Sequence, residues 1–167
     1  GENVIIDTNI VFDGLVELEK QASLNGLLLR TQIRRPLNLW TFRVSVGTLL
    51  TEDKLQILGE MKAWAYNNRN GLQLDTMQIR KNAPKGTGHL IWASTMAWAL
   101  EQTNCRKARL LAIYDDHSQH IKLTRYFSKR GFKTVKEVGS SPFDLPLRII
   151  WGGSGTLMTA DVSEVYK

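Results

Sequence analysis

Residues 85–89, Lys-Gly-Thr-Gly-His, set two glycines and a basic side chain directly ahead of the apolar run Leu90 to Gln102. Glycine lets the backbone approach a ligand closely and take a positive φ. The first amides of a following helix have no intrahelical acceptor, and the helix dipole favours negative charge beside them. Gly86, Thr87, Gly88 and His89, with Lys85 alongside, therefore have the makings of a pyrophosphate cradle. Taken alone, the same residues serve equally well as a flexible entry to a buried helix. The spacing is not that of a P-loop, and the third glycine of a dinucleotide fingerprint is absent.

Other residues with chemical capacity are more scattered. His117 and His120 are three apart without an evident third ligand, so zinc is not expected. Cys105 is the only cysteine, which rules out an internal disulfide and reads as structural, in an intracellular, reducing compartment. Between Lys122 and Lys136 stand Lys122, Arg125, Lys129, Arg130, Lys133 and Lys136, with no acid among them. That segment reads as a solvated face or as a field for an acidic partner. Three carboxylates, Asp75, Asp115 and Asp116, fall at or near strand ends.

These residues need a scaffold. A chain of 167 residues with 43% hydrophobic content suits one domain with a sizeable core, and its net charge is +6. The apolar run Leu90 to Leu100 is far shorter than the roughly 20 residues of a membrane span, and no secretory signal is visible. Gly1 in place of a methionine reads as a processed or trimmed product, compatible with a targeting segment already removed.

Val11, Leu15, Leu18 and Ala22 recur at helical spacing, with Gly26 placed to cap the helix end. Leu27 to Arg34 reads as extended, and Trp40, Phe42, Val44 and Val46 alternate as one face of a strand. Leu55, Leu58, Met61 and Ala65 then predict a helix over about Glu52 to Tyr66, capped by Thr51. Leu72 to Ile79 follows as a strand, with Leu72 and Leu74 on one face and Gln73, Asp75, Met77 and Ile79 on the other. Leu90 to Gln102 is apolar almost all round, as in a helix packed on a sheet, with Trp92, Met96 and Ala99 as core. Ala108 to Tyr114 predicts a central strand, His120 to Arg130 a helix ended by Gly131, and Phe132 to Val138 another strand. Leu147 to Trp151 reads as the last strand. A right-handed crossover places the strands at Leu72 and Ala108 parallel and adjacent.

A strand, a Lys-Gly-x-Gly turn, a buried helix, a second strand, and a helix ending in YFSKRGF (Tyr126 to Phe132) resemble the GNAT superfamily of N-acetyltransferases. The YFSKRGF form is most similar to that of the histone-acetyltransferase branch, and the match runs from about Leu72 to Val138. The resemblance implies an α/β (α+β) fold: a mixed, partly antiparallel sheet flanked by helices around a central βαβαβ cofactor unit. It implies one domain over 1–167, with 72–138 as the cofactor-binding core and 1–71 as a divergent acceptor-side region.

It also implies acetyl-CoA as acyl donor and an amine of unknown type as acceptor. Lys85, Gly86, Thr87, Gly88 and His89 would hold the CoA pyrophosphate, while Met77, Gln78 and Ile79 would bond the pantetheine arm along a splayed sheet edge. Tyr126 matches the tyrosine that protonates the departing thiolate, a general-acid role. Asp75, Asp115 and Asp116 are the carboxylates near enough in sequence to be weighed as a base, with no choice among them. The chain departs from the family pattern at Ala83, where Gln or Arg is usual, and at Ile121, where Asn is frequent. The helix at Glu52 to Tyr66 departs from the antiparallel hairpins that normally lead into the cofactor strand.

Two other readings stand beside it. The first is a GNAT-like module that binds without turnover. The second starts from Val4 to Leu15, where a strand ending in Asp-Thr-Asn is similar to the opening of PIN-domain nucleases, with Asp7, Glu52, Asp115 and Asp116 as hard ligands for a divalent metal. The nuclease lacks the carboxylate expected on the late apolar helix, so nucleic acid is not an expected partner.

Overall fold

The computed structural model describes residues 7–8, 12–113, 117–139, 141–147 and 153–166. In chain order the first half forms β1 (Asp7–Thr8), α1 (Asp13–Leu24), β2 (Leu28–Arg34), β3 (Trp40–Leu49), β4 (Leu55–Ala65) and β5 (Leu72–Ile79). The second half forms α2 (Thr87–Gln102), β6 (Lys107–Ile113), α3 (His117–Lys129), β7 (Lys133–Val138), β8 (Gly155–Asp161) and α4 (Val162–Tyr166). The strands make one mixed sheet in the order β1-β2-β3-β4-β5-β6-β8-β7. Every described pairing is antiparallel except that of β5 with β6. This is the mixed, partly antiparallel α/β architecture that the resemblance implies.

The segment expected as a helix is strand β4. Its apolar residues fit helical spacing, yet Met61, Ala63 and Ala65 also alternate, and all three are buried. Pairing with β3 on one side and β5 on the other decides between the two periods. Gly59 lies in the interior, where a helix would be weakened by about 1 kcal/mol. In the sheet, a Cβ at Gly59 would lie 2.7 Å from Ile91 of α2, so its absence admits the helix. Thr51 belongs to the hairpin turn, closed by the Leu50 amide donating to the Lys54 carbonyl at 2.8 Å. β3, β4 and β5 thus form an antiparallel meander, and the apparent departure from the family topology disappears.

A bulge on β5 corrects a second expectation. Leu72, Leu74, Met77 and Ile79 face Ala65, Ala63, Met61 and Gly59 in turn, and Asp75 is the extra residue. Alternate residues of β4 share a face, so Met77 and Ile79 lie on the same face as Leu72 and Leu74, toward α2. Gly26 and Gly131 take φ of +71° and +107° just past α1 and α3, the left-handed stops expected from the sequence.

The core lies between the sheet and α2, which is buried along most of its length. Trp98 stacks on Phe42 with ring centroids 4.5 Å apart and meets Trp40 edge-on at 6.3 Å. Leu15, Leu18 and Ala22 of α1 join the same cluster. Of the last strand expected, 148–151 lie outside the described residues, and Leu147 is helical. The strand that closes the sheet is β8, inserted between β6 and β7. The third strand of the expected βαβαβ unit therefore does not touch the second.

Candidate functional site

β5 and β6 pair at only two positions, Leu72 with Ala108 and Gln73 with Arg109, and then diverge. The Arg80 amide donates to the Leu58 carbonyl at 2.9 Å, so the groups of Thr76, Gln78 and Arg80 point toward β4. By alternation, the N–H and C=O of Met77 and Ile79 point into the opening between β5 and β6. Gln78, expected with them, is turned toward β4. An unpaired strand edge of this kind accepts an extended ligand as an added strand.

The opening is a cleft of about 210 Å³. Leu74, Met77, Trp92, Leu110 and Phe127 line its side toward α2, while Asp75, Leu111 and Ile113 line the other. Leu110 and Leu111 point to opposite faces of β6, so the cleft passes through the sheet.

α2 begins at the mouth of this cleft. Gly86 is its N-cap, with φ of +97° and open space where a Cβ would stand. The Thr87 hydroxyl donates to the Pro84 carbonyl at 2.8 Å and its side chain is buried, so Thr87 pins the loop. The Leu90 amide closes back on Gly86 at 3.0 Å and that of Thr87 on Pro84 at 3.2 Å. Gly88 and His89 are left with the outward amides of the first turn. Lys85 and His89 are exposed at the rim.

Gly88 is where separate elements meet. A methyl group built on it would lie 3.3 Å from Ile79 Cδ1, 3.5 Å from the Tyr126 hydroxyl oxygen and 3.6 Å from Arg130 Nη2. The end of β5, the start of α2 and the end of α3 therefore converge on one point. Tyr126 is half-buried, and Trp92 Nε1 donates to its oxygen at 2.8 Å. That bond occupies an acceptor position and leaves the phenol proton available for donation. The Arg130 guanidinium lies over the Trp92 and Tyr126 rings at 5.9 and 5.7 Å.

Trp92 is core, as its place in the apolar stripe predicts, and its indole N–H also reaches into the site; Arg130, expected as one of a basic run, lies over the aromatic rings. Gly88 and Trp92 are four apart on α2, and Tyr126 and Arg130 are four apart along YFSKRGF, so each pair shares a helix face. That spacing was the available signal. The basic segment 122–136 does not form one face: Arg130 turns back over the aromatics, and Lys136 pairs with Asp144 at 2.9 Å.

The remaining sequence candidates are dispersed. Asp115 and Asp116 lie outside the described residues. Asp7 pairs with Arg34 at one end of the meander, whereas Glu52 lies in the β3–β4 turn at the other. The strand rise separates them by about 25 Å, too far to hold one ion. No group of three metal-ligating side chains occurs among the described residues. No described helix is long and apolar enough to cross a membrane.

No protein-family profile matches the chain, and no curated protein matches it. Among solved structures it is similar to a GNAT-family acetyltransferase from Staphylococcus aureus Mu50, at 16% identity and a TM-score of 0.49, covering 92% of this chain and 81% of that one. It is similar to a mutant of the spermidine N-acetyltransferase SpeG from Vibrio cholerae, at 12% identity and a TM-score of 0.47, covering 96% and 84%. It is also similar to the loading GNATL domain of CurA from Lyngbya majuscula, at 13% identity and a TM-score of 0.45, covering 98% and 99%.

Proposed function

We propose that the chain is an acetyl-CoA-dependent N-acyltransferase, a single domain over 1–167 with 72–138 as its cofactor-binding core. The observation that carries this reading is the convergence at Gly88 of a helix N-terminus, an open strand edge and a phenol.

Each part has a physical role. The outward amides of Gly88 and His89, with Lys85 and Arg130 nearby, hold a pyrophosphate by dipole, hydrogen bond and charge. Gly86 supplies the positive φ that lets the loop turn under it. The backbone groups of Met77 and Ile79 bond an amide-bearing arm laid along β5. Bound acetyl-CoA supplies a thioester: an amine nitrogen bonds to its carbonyl carbon, the C–S bond breaks, and of the two protons the ammonium sheds one ends on sulfur and one in solvent. Tyr126 holds a proton at the cleft, and Trp92 keeps a donor on the same oxygen once that proton leaves.

Isothermal titration with acetyl-CoA and CoA tests the reading, with Gly86→Glu/Gly88→Glu as control. Micromolar binding to the wild type, absent in a control that keeps its circular dichroism spectrum, supports the cradle. No binding to the wild type sinks the proposal. Binding without turnover on any amine leaves the silent module.

A further inference from the structure

Inward of its mouth, the cleft between β5 and β6 opens into an apolar bay. Toward α2 and α3 its walls are Met61, Leu74, Met77, Leu110, Leu123 and Phe127. Met61, Leu74 and Leu110 are buried, and Met61 pairs across the sheet with Met77. Neither Ile79 nor Gly88 is among the described residues that line this volume, so it lies beyond the mouth.

Size and depth both exceed what an acetyl group fills. The cleft measures about 210 Å³, whereas an apolar cavity of about 150 Å³ already admits benzene. Gln73, where β5 still pairs with β6, faces Trp64 of β4, and Met77 faces Met61. The three-residue step along β4 between those levels spans about 10 Å. An arm bonded first at Ile79 and then at Met77 delivers its acyl end into that stretch. The charge of the lining is one-sided too. Among the described residues that line the cleft Asp75 alone is charged, and it stands on the face away from α2, where it also borders a groove. Arg130 stands outside, beside Gly88.

We infer that the acyl donor is a short, unbranched aliphatic acyl-CoA, with propionyl and butyryl groups taken beside acetyl and carboxylated groups such as succinyl refused. The inference rests on the acyltransferase reading above. The tail is a spectator: the amine nitrogen bonds to the same carbonyl carbon, and the same C–S bond breaks, whatever its length. Met61 and Met77, unbranched and adaptable, repack around it. Leu74 and Leu110 form the floor. A tail carboxylate would give up its water against apolar walls, with only the like charge of Asp75 to meet it.

The test is calorimetric titration of the whole chain with CoA, acetyl-CoA, butyryl-CoA and succinyl-CoA, beside NMR of labelled backbone amides and methionine methyl groups. Each buried methylene adds about three- to four-fold in affinity, so butyryl-CoA should bind at least five-fold tighter than acetyl-CoA, and succinyl-CoA at least five-fold weaker than butyryl-CoA. The Met61 and Met77 methyl signals should move with butyryl-CoA beyond their positions with CoA. Leu110→Phe, which fills the floor, should cut the ratio of butyryl-CoA to CoA affinity. Leu110→Ala, which lowers the floor, should extend tight binding to hexanoyl-CoA; circular dichroism checks that both variants fold. Butyryl-CoA binding no tighter than CoA, succinyl-CoA binding as well as butyryl-CoA, or chain-length preferences unmoved in both variants overturns the inference. In each of those cases CoA still shifts the Gly88 and His89 amides, and the acyltransferase reading stands. Unmoved Gly88 and His89 amides with CoA itself are the separate signature that overturns both.

Discussion

The indole of Trp92 donates a hydrogen bond of 2.8 Å to the hydroxyl oxygen of Tyr126, tying the first turns of α2 to the last turn of α3. The bond orients the phenol and leaves its proton pointing away from the indole. Replacing Tyr126 by Phe should lower kcat by about 10²-fold, the low end of a general-acid contribution. CoA affinity should stay within about two-fold, since binding rests on the helix start and the strand edge. Trp92→Phe should cost less in kcat, because the phenol remains. Steady-state kinetics beside calorimetric titration separates the two effects; an equal loss in both variants would make Tyr126 a packing residue.

Gly86 occupies a left-handed conformation with open space around it, so an added methyl meets no clash and acts through the backbone alone. Gly86→Ala should destabilise the fold by about 1 kcal/mol and weaken CoA binding through the displaced loop. Gly88→Ala puts its methyl into contacts of 3.3 to 3.6 Å with Ile79, Tyr126 and Arg130. It should therefore weaken CoA binding with less effect on stability. Urea unfolding and titration of both variants check the contrast.

Trp98 is fully buried, stacked on Phe42 and edge-on to Trp40. Trp98→Ala should cost about 3–5 kcal/mol, the range for deleting a large core aromatic. Trp98→Phe keeps the stack with Phe42 and should cost less. A chemical denaturation midpoint for each variant measures the difference.

Cys105 is buried, and burial pushes its thiol above the ordinary value of 9.0, against the opposing hydrogen bond from Thr103. The unfolded thiol ionises first as pH rises. The resulting stability is present below about pH 9 and is lost as pH climbs through the folded value. Cys105→Ala should flatten the decline in unfolding free energy above pH 9 relative to wild type. Alkylation of the native protein should also be slow beside that of the unfolded chain.

Lys85 to Gln102 and Tyr126 to Phe132 were legible because their chemistry is local. A glycine before a buried helix needs only its own φ, and i, i+4 spacing along YFSKRGF defines a helix face wherever that helix goes. Most strands and helices followed from period and caps for the same reason. Leu55 to Ala65 did not, since its apolar spacing suits both periods and only hydrogen-bonded neighbours on two sides chose the strand. The face taken by Met77 and Ile79 was equally hidden, because one bulge residue reverses the parity of everything after it.

The sequence by itself determined a buried helix following the glycines at 86 and 88, the helix ending in YFSKRGF, and the material of a single core, while the helix start at Thr87, three residues before the expected Leu90, came from the structure. Only tertiary structure decided that β5 and β6 separate after two pairs, that Trp92 meets Tyr126, and that Asp75 opens onto both sides of the sheet. Local conformation depends on neighbours a few residues away, which the sequence displays. The cleft depends on contacts such as Trp92 with Tyr126, 34 residues apart, and those exist only once the sheet has formed around α2.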